Sequence, residues 1–92
     1  MIPSAKVREA AQVECDRQQV GPDALERLLW AWEFAVQMYQ GKCKSPCLVD
    51  QQYMARVIAG DSGNNDLLEW IIQNWLEGTL FDPKPLKDYT FV

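Results

Sequence analysis

The side chains that carry most protein chemistry are scarce in this 92-residue chain. It has no histidine, and its thiols number three, at Cys15, Cys43 and Cys47. Without histidine the commonest general base is missing, and with it the Ser-His and Cys-His nucleophile pairs. Mixed Cys/His zinc sites are excluded on the same ground, and a Cys₄ site needs one more thiol than the chain holds. No GxxxxGK[ST] or GxGxxG stretch is present to cradle a phosphate. An odd cysteine count does not read as a disulfide framework. The expectation is a chain with no catalytic residues, no metal and no cofactor, and hence not an enzyme.

Two clusters test that expectation. The first is Cys43-Lys44-Ser45-Pro46-Cys47, where Lys42 and Lys44 would favour a thiolate. Redox pairs usually enclose two residues and follow a strand. Here three intervene and no strand is expected, so a small thiol redox protein using Cys43 and Cys47 is a subordinate reading beside two ordinary loop thiols. The second is Asp61, Asn64, Asn65 and Asp66. Calcium loops alternate their ligands and close with a Glu at position twelve. This spacing does not, and Asp61-Ser62-Gly63-Asn64-Asn65 reads as a turn.

Charge is more informative. The chain carries 13 acidic and 9 basic residues, for a net charge of -4. Residues 57–83 contain no Lys or Arg, while Asp61, Asp66, Glu69, Glu77 and Asp82 give that stretch a charge of -5. Trp70 lies among these carboxylates, on the polar side of the helix expected there. Trp is a frequent interface anchor. An Arg or Lys on a partner would pair with Asp66 and Glu69 and stack on the indole. Asp66, Glu69, Trp70 and Glu77 are thus one candidate partner-binding surface. The competing expectation is that a small core needs every large side chain. In that case Phe81 or Tyr89 would cover Trp70. A second candidate is the i to i+4 stripe of Trp30, Phe34 and Met38. It packs against the first and third helices, or it forms the seam of a homodimer.

The elements that would hold these residues divide at Gly and Pro. A first helix over 4–19 starts on Ser4 as N-cap and has a thin apolar face of Val7, Ala10, Ala11 and Cys15. A second, over 22–40, has Pro22 at its first position, Asp23 and Glu26 in its first turn, and Gly41 just past its end. Leu25, Leu28, Leu29, Trp32, Ala35, Val36 and Tyr39 form its main face. Glu26, Glu33, Gln37 and Gln40 form its polar strip. A third helix begins with Asp50 as N-cap and ends before Gly60, with Tyr53, Met54, Val57 and Ile58 inward. A fourth runs from near Asn65 to Gly78. Its inward face is Leu67, Leu68, Ile71, Ile72, Trp75 and Leu76. Residues 79–92, with Pro83 and Pro85, are extended rather than helical. Leu80, Phe81, Leu86, Tyr89, Phe91 and Val92 are too apolar for a free tail, which is expected to pack back on the bundle with one short strand.

The fold expectation is therefore all-α: a small four-helix domain spanning 1–92, with an extended Pro-containing C-terminal tail packed on the bundle. No apolar run approaches the ~20 residues that span a bilayer, so no membrane association is expected. Residues 1–10 lack the apolar stretch of a signal peptide, and the expected location is the cytoplasm. The functional expectation is a non-enzymatic protein-binding module that docks an acidic, Trp-containing surface on a basic, nucleic-acid-binding partner protein. By size and charge it is analogous to small acidic inhibitors of phage or mobile-element type. Direct nucleic-acid binding is disfavoured, since phosphate backbones reward clustered Lys and Arg. A dimeric DNA-binding transcriptional regulator is the alternative, and its cations would be Lys6, Arg8, Arg17, Lys42 and Lys44.

Overall fold

The computed structural model describes residues 4–59 and 66–87. Within them the chain forms an all-α bundle of four helices: α1 (Ala5–Gln18), α2 (Pro22–Gln40), α3 (Leu48–Ala59) and α4 (Asp66–Glu77). The turn expected at 61–65 and the tail residues Tyr89, Phe91 and Val92 lie outside the described residues. None of the described helices is long and apolar enough to cross a membrane.

Local signals set most helix ends. The Ser4 side chain accepts the Val7 N–H, satisfying one orphan donor of α1, and Pro22 opens α2 at a position where its missing N–H costs nothing. Gly78 closes α4 at φ 73°, with the Gly78 N–H on the Trp75 carbonyl and the Thr79 N–H on the Asn74 carbonyl. That is the double-bonded C-terminal turn in which glycine avoids the cost of a Cβ at positive φ.

Two ends differ from expectation. Gly41 is not the left-handed residue that closes α2. Lys42 takes that conformation, at φ 75°, and the N–H groups of Lys42 and Cys43 bond the carbonyls of Tyr39 and Met38. Asp50 does not cap α3 from outside, because the helix starts at Leu48. Asp50 sits in the first turn, where its carboxylate accepts both the backbone N–H and the thiol of Cys47. A carboxylate three residues into a helix can reach back to the capping residue's N–H, so the acid that marks the helix start lies inside it.

The core gathers on α2. Leu28, Ala31, Trp32 and Ala35 are fully buried, and α1, α3 and α4 all pack against this helix. Val7, Ala11 and Cys15 supply the small inner face of α1. Burial pushes the Cys15 thiol up to about 11, and the charges of Asp16 and Glu14 push in the same direction. Glu14 is also buried, an outcome the sequence pattern did not anticipate.

Three of the four tryptophans combine burial with a hydrogen bond to irregular backbone. The Trp32 indole donates to the Leu80 carbonyl at 3.1 Å, Trp70 to that of Lys84 at 2.7 Å, and Trp75 to that of Cys43 at 2.8 Å. Each therefore pins a non-helical segment onto the bundle while satisfying a buried N–H. Trp32 and Trp70 also touch, their ring centroids 4.5 Å apart.

Candidate functional site

The fourth helix is turned about a quarter turn from the expected orientation. Six apolar residues suggest an inward face of Leu67, Leu68, Ile71, Ile72, Trp75 and Leu76. The buried side instead consists of Leu67, Trp70, Ile71, Asn74 and Trp75. Leu76 is 58% exposed and Ile72 is half-buried. The cause is the tail. Asn74 Nδ2 donates to the Trp70 and Lys84 carbonyls, and its Oδ1 accepts from the Lys84 N–H at 2.8 Å and the Thr79 hydroxyl. One amide thus ties down two separated points of the tail, which draws Trp70 and Asn74 under it.

Trp70 is therefore not a surface anchor. It is 1% exposed, and the cover comes from Trp32 and the Lys84 backbone rather than from Phe81, which is 51% exposed. Tyr89 lies outside the described residues. The tail follows α4 without forming a strand over its described part. Gln73 clasps it further along, donating to the Pro85 carbonyl and accepting the Lys87 N–H.

The other three residues of the acidic surface do come together. Asp66, Glu69 and Glu77 line an open concavity of about 540 Å³ whose apolar lining is Ile72, Leu76 and Leu86. Lys87 enters it from the tail, its ammonium 2.7 Å from a Glu77 carboxylate oxygen. Glu69 is exposed and has no ion pair among the described residues. Acidic rim, apolar floor and one bound ammonium make this a groove suited to a cationic side chain carried on an apolar segment. Sequence reasoning missed Leu76, Leu86, Gln73 and Lys87. Asn74 was the available signal, because a short amide in the middle of an apolar helix face needs partners that only another segment can supply.

The second candidate surface is exposed. Trp30 is 67% accessible, with no hydrogen bond from its indole among the described residues. Phe34 and Met38 are half-buried beside it. The expectation that this stripe packs against the first and third helices fails at Trp30. α3 meets the stripe at Tyr53, whose ring lies 4.7 Å from that of Phe34, and runs on beside α2 to where Arg27 bonds the Ile58 carbonyl, yet leaves Trp30 uncovered. Tyr53 and Val49 are themselves exposed, and so extend the apolar surface onto α3.

The cations named for a DNA-binding role are dispersed. Lys6 pairs with Asp82, Arg8 with Glu26 and Arg17 with Glu14, while the Lys44 ammonium lies 4.0 Å over the Tyr39 ring. Asp82 also holds Lys84, and the hydrogen bonds from Lys84 and Lys6 keep its pKa below the ordinary value. Cys43 is half-buried and Cys47 exposed, both as free thiols. No group of three or more Cys, Asp or Glu among the described residues is placed to hold a metal ion. No protein-family model, curated protein or solved structure matches this chain.

Proposed function

We propose that this chain is a non-enzymatic protein-binding module whose α4 groove docks on a basic surface of a partner protein. The observation that supports it most is the groove's composition: Asp66, Glu69 and Glu77 around Ile72, Leu76 and Leu86, with Lys87 already paired to Glu77. The chain's own lysine models what a partner would contribute. Leu76 replaces Trp70 as the apolar contact, because an accessible side chain is required. In its concrete form the module is an inhibitor that covers the nucleic-acid channel of its target. Such channels are lined with Lys and Arg, and an acidic domain competes for them electrostatically.

The test uses the tagged chain as bait in an extract of its source cells, against the double variant Glu69→Lys with Leu76→Asp. Both side chains are exposed, so the variant should melt within a few degrees of the parent. A nucleic-acid-binding protein should be captured by the parent, released by raised salt and lost with the variant. Undiminished capture by the variant would refute the reading.

A further inference from the structure

The α4 groove contains one open cation position and one that the chain fills itself. Glu69 is exposed and has no ion pair among the described residues. Glu77, further along the helix, holds the Lys87 ammonium at 2.7 Å. At 1.5 Å per residue the two acids stand about 12 Å apart along the axis. Ile72 and Leu76 lie between them in the sequence, and Leu86 adds to the apolar lining from the tail.

Lys87 is held in place before its side chain plays any part. Its backbone N–H bonds Gln73 Oε1 at 2.9 Å, and the Gln73 amide donates to the Pro85 carbonyl at 3.0 Å. Pairing with Glu77 therefore orders only one side chain. A partner's cation has no such advantage, because it must first be brought to the groove. An intramolecular group competes at an effective concentration on the order of millimolar. The Lys87 side chain is 66% exposed, so the pair can open without unpacking the tail.

We infer that Lys87 is an autoinhibitory plug. It fills the Glu77 end of the groove as a partner's lysine or arginine would, and the partner must displace it. The inference rests on the groove reading above and adds the regulation of that site. The partner's first cation meets Glu69, its apolar side chain enters over Ile72 and Leu76, and its second cation takes Glu77 from Lys87. An extended segment rises about 3.3 Å per residue, so cations four residues apart span about 13 Å, close to the spacing of the two acids. The residue midway between those cations points to the same face. The segment that fits is thus extended, with a cation, an apolar residue and a cation at alternate positions.

Fluorescence anisotropy of the full chain with a labelled, amidated Arg-Ala-Leu-Ala-Arg peptide tests this. The salt is set at about 0.15 M, where exposed charges more than roughly 8 Å apart are largely screened. Lys87→Met keeps the apolar stem and removes the charge. It should tighten binding about two- to fivefold, the worth of one exposed ion pair. Lys6→Met is the matched control, because Lys6 also pairs with a carboxylate, Asp82, and neither residue lines the groove. That variant should change affinity by less than about twofold. In a Glu77→Gln background the gain from Lys87→Met should vanish, since no acid is left to contest. A Lys87→Met chain that binds no tighter than Lys6→Met would overturn the plug, as would a gain that survives Glu77→Gln. The groove reading outlives either result if Glu69→Lys with Leu76→Asp abolishes binding. A peptide that ignores that double variant, or that never binds, would overturn the groove reading and the plug with it.

Discussion

Trp70 and Trp30 occupy comparable positions on two helices, each projecting away from the larger apolar face read in the sequence, and they end in opposite environments. On the α4 side a tail returns along the helix, and its Lys84 carbonyl meets the Trp70 indole at 2.7 Å. On the α2–α3 side no described segment returns, and Trp30 remains 67% exposed. An indole has a large apolar body and one donor, so it enters the core where something both covers the ring and accepts the N–H. The tail does both for Trp70. Burying Trp30 would require an acceptor from another molecule, or a rim position where water keeps the N–H solvated.

Denaturant unfolding of two alanine variants puts that difference to its strongest test. Trp70→Ala removes a buried ring from contact with Trp32 and one of the two hydrogen bonds to the Lys84 carbonyl, and should cost about 3–5 kcal/mol. Trp30→Ala should fall within about 0.5 kcal/mol of the parent, as exposed substitutions do, when measured at concentrations where the chain is monomeric. Equal costs would mean that the two tryptophans are equally embedded, and the contrast would collapse.

Asn74 sharpens the same contrast by asking what holds the tail. Its side chain donates to the Lys84 carbonyl and accepts the Lys84 N–H and the Thr79 hydroxyl. Asn74→Ala strands the Lys84 N–H, while the Lys84 carbonyl keeps the Trp70 indole and the Thr79 hydroxyl keeps the Asn74 backbone carbonyl, and should cost about 2 kcal/mol. The larger signature is local. Amide exchange at Lys84 and Lys87 should accelerate at least about tenfold, while the α2 amides keep protection set by global unfolding. A uniform change across the chain would show that the tail and the bundle unfold as one unit.

What the sequence made legible follows a physical division. The starts of α1 and α2 and the end of α4 were readable because Ser4, Pro22 and Gly78 act through bonds within a few residues. The carboxylate cluster was readable too, since Asp66, Glu69 and Glu77 recur at helical spacing on a stretch without cations. The orientation of α4 was not, because the partners of Trp70 and Asn74 lie 10 to 14 residues away, in a segment whose path periodicity does not encode. The close of α2 was misread for a subtler reason. Gly41 permits positive φ, but Lys42 adopts it, since the Met38 carbonyl takes the Cys43 N–H. Tyr53 was assigned inward from its place in an apolar stripe, yet α3 packs through Met54 and Ile58 and leaves Tyr53 on the rim.

The smallest expected effect concerns Glu14, also on the tail side. Its side chain is 2% exposed, one oxygen lies 3.4 Å from Arg17, and the other has no hydrogen-bond partner. Burial raises its pKa above the ordinary value near 4.5, against the opposing pull of Arg17 and of the nearby Leu86 backbone amide. The folded chain therefore holds this proton more tightly than the unfolded chain does. Stability from this group is complete below the ordinary value and declines as pH rises through the raised one. Glu14→Gln keeps the shape without the charge. It should make the chain more stable at pH 7, because the folded chain then no longer gives up a proton that it holds more tightly than the unfolded chain does, and flatten stability against pH just above 4.5. Denaturation midpoints collected across that interval for both proteins give the answer. Parallel profiles would mean that Glu14 ionises as freely in the bundle as in the unfolded chain. The α1 surface beneath the tail would then be wet, and the two sides of the molecule would differ less than their tryptophans suggest.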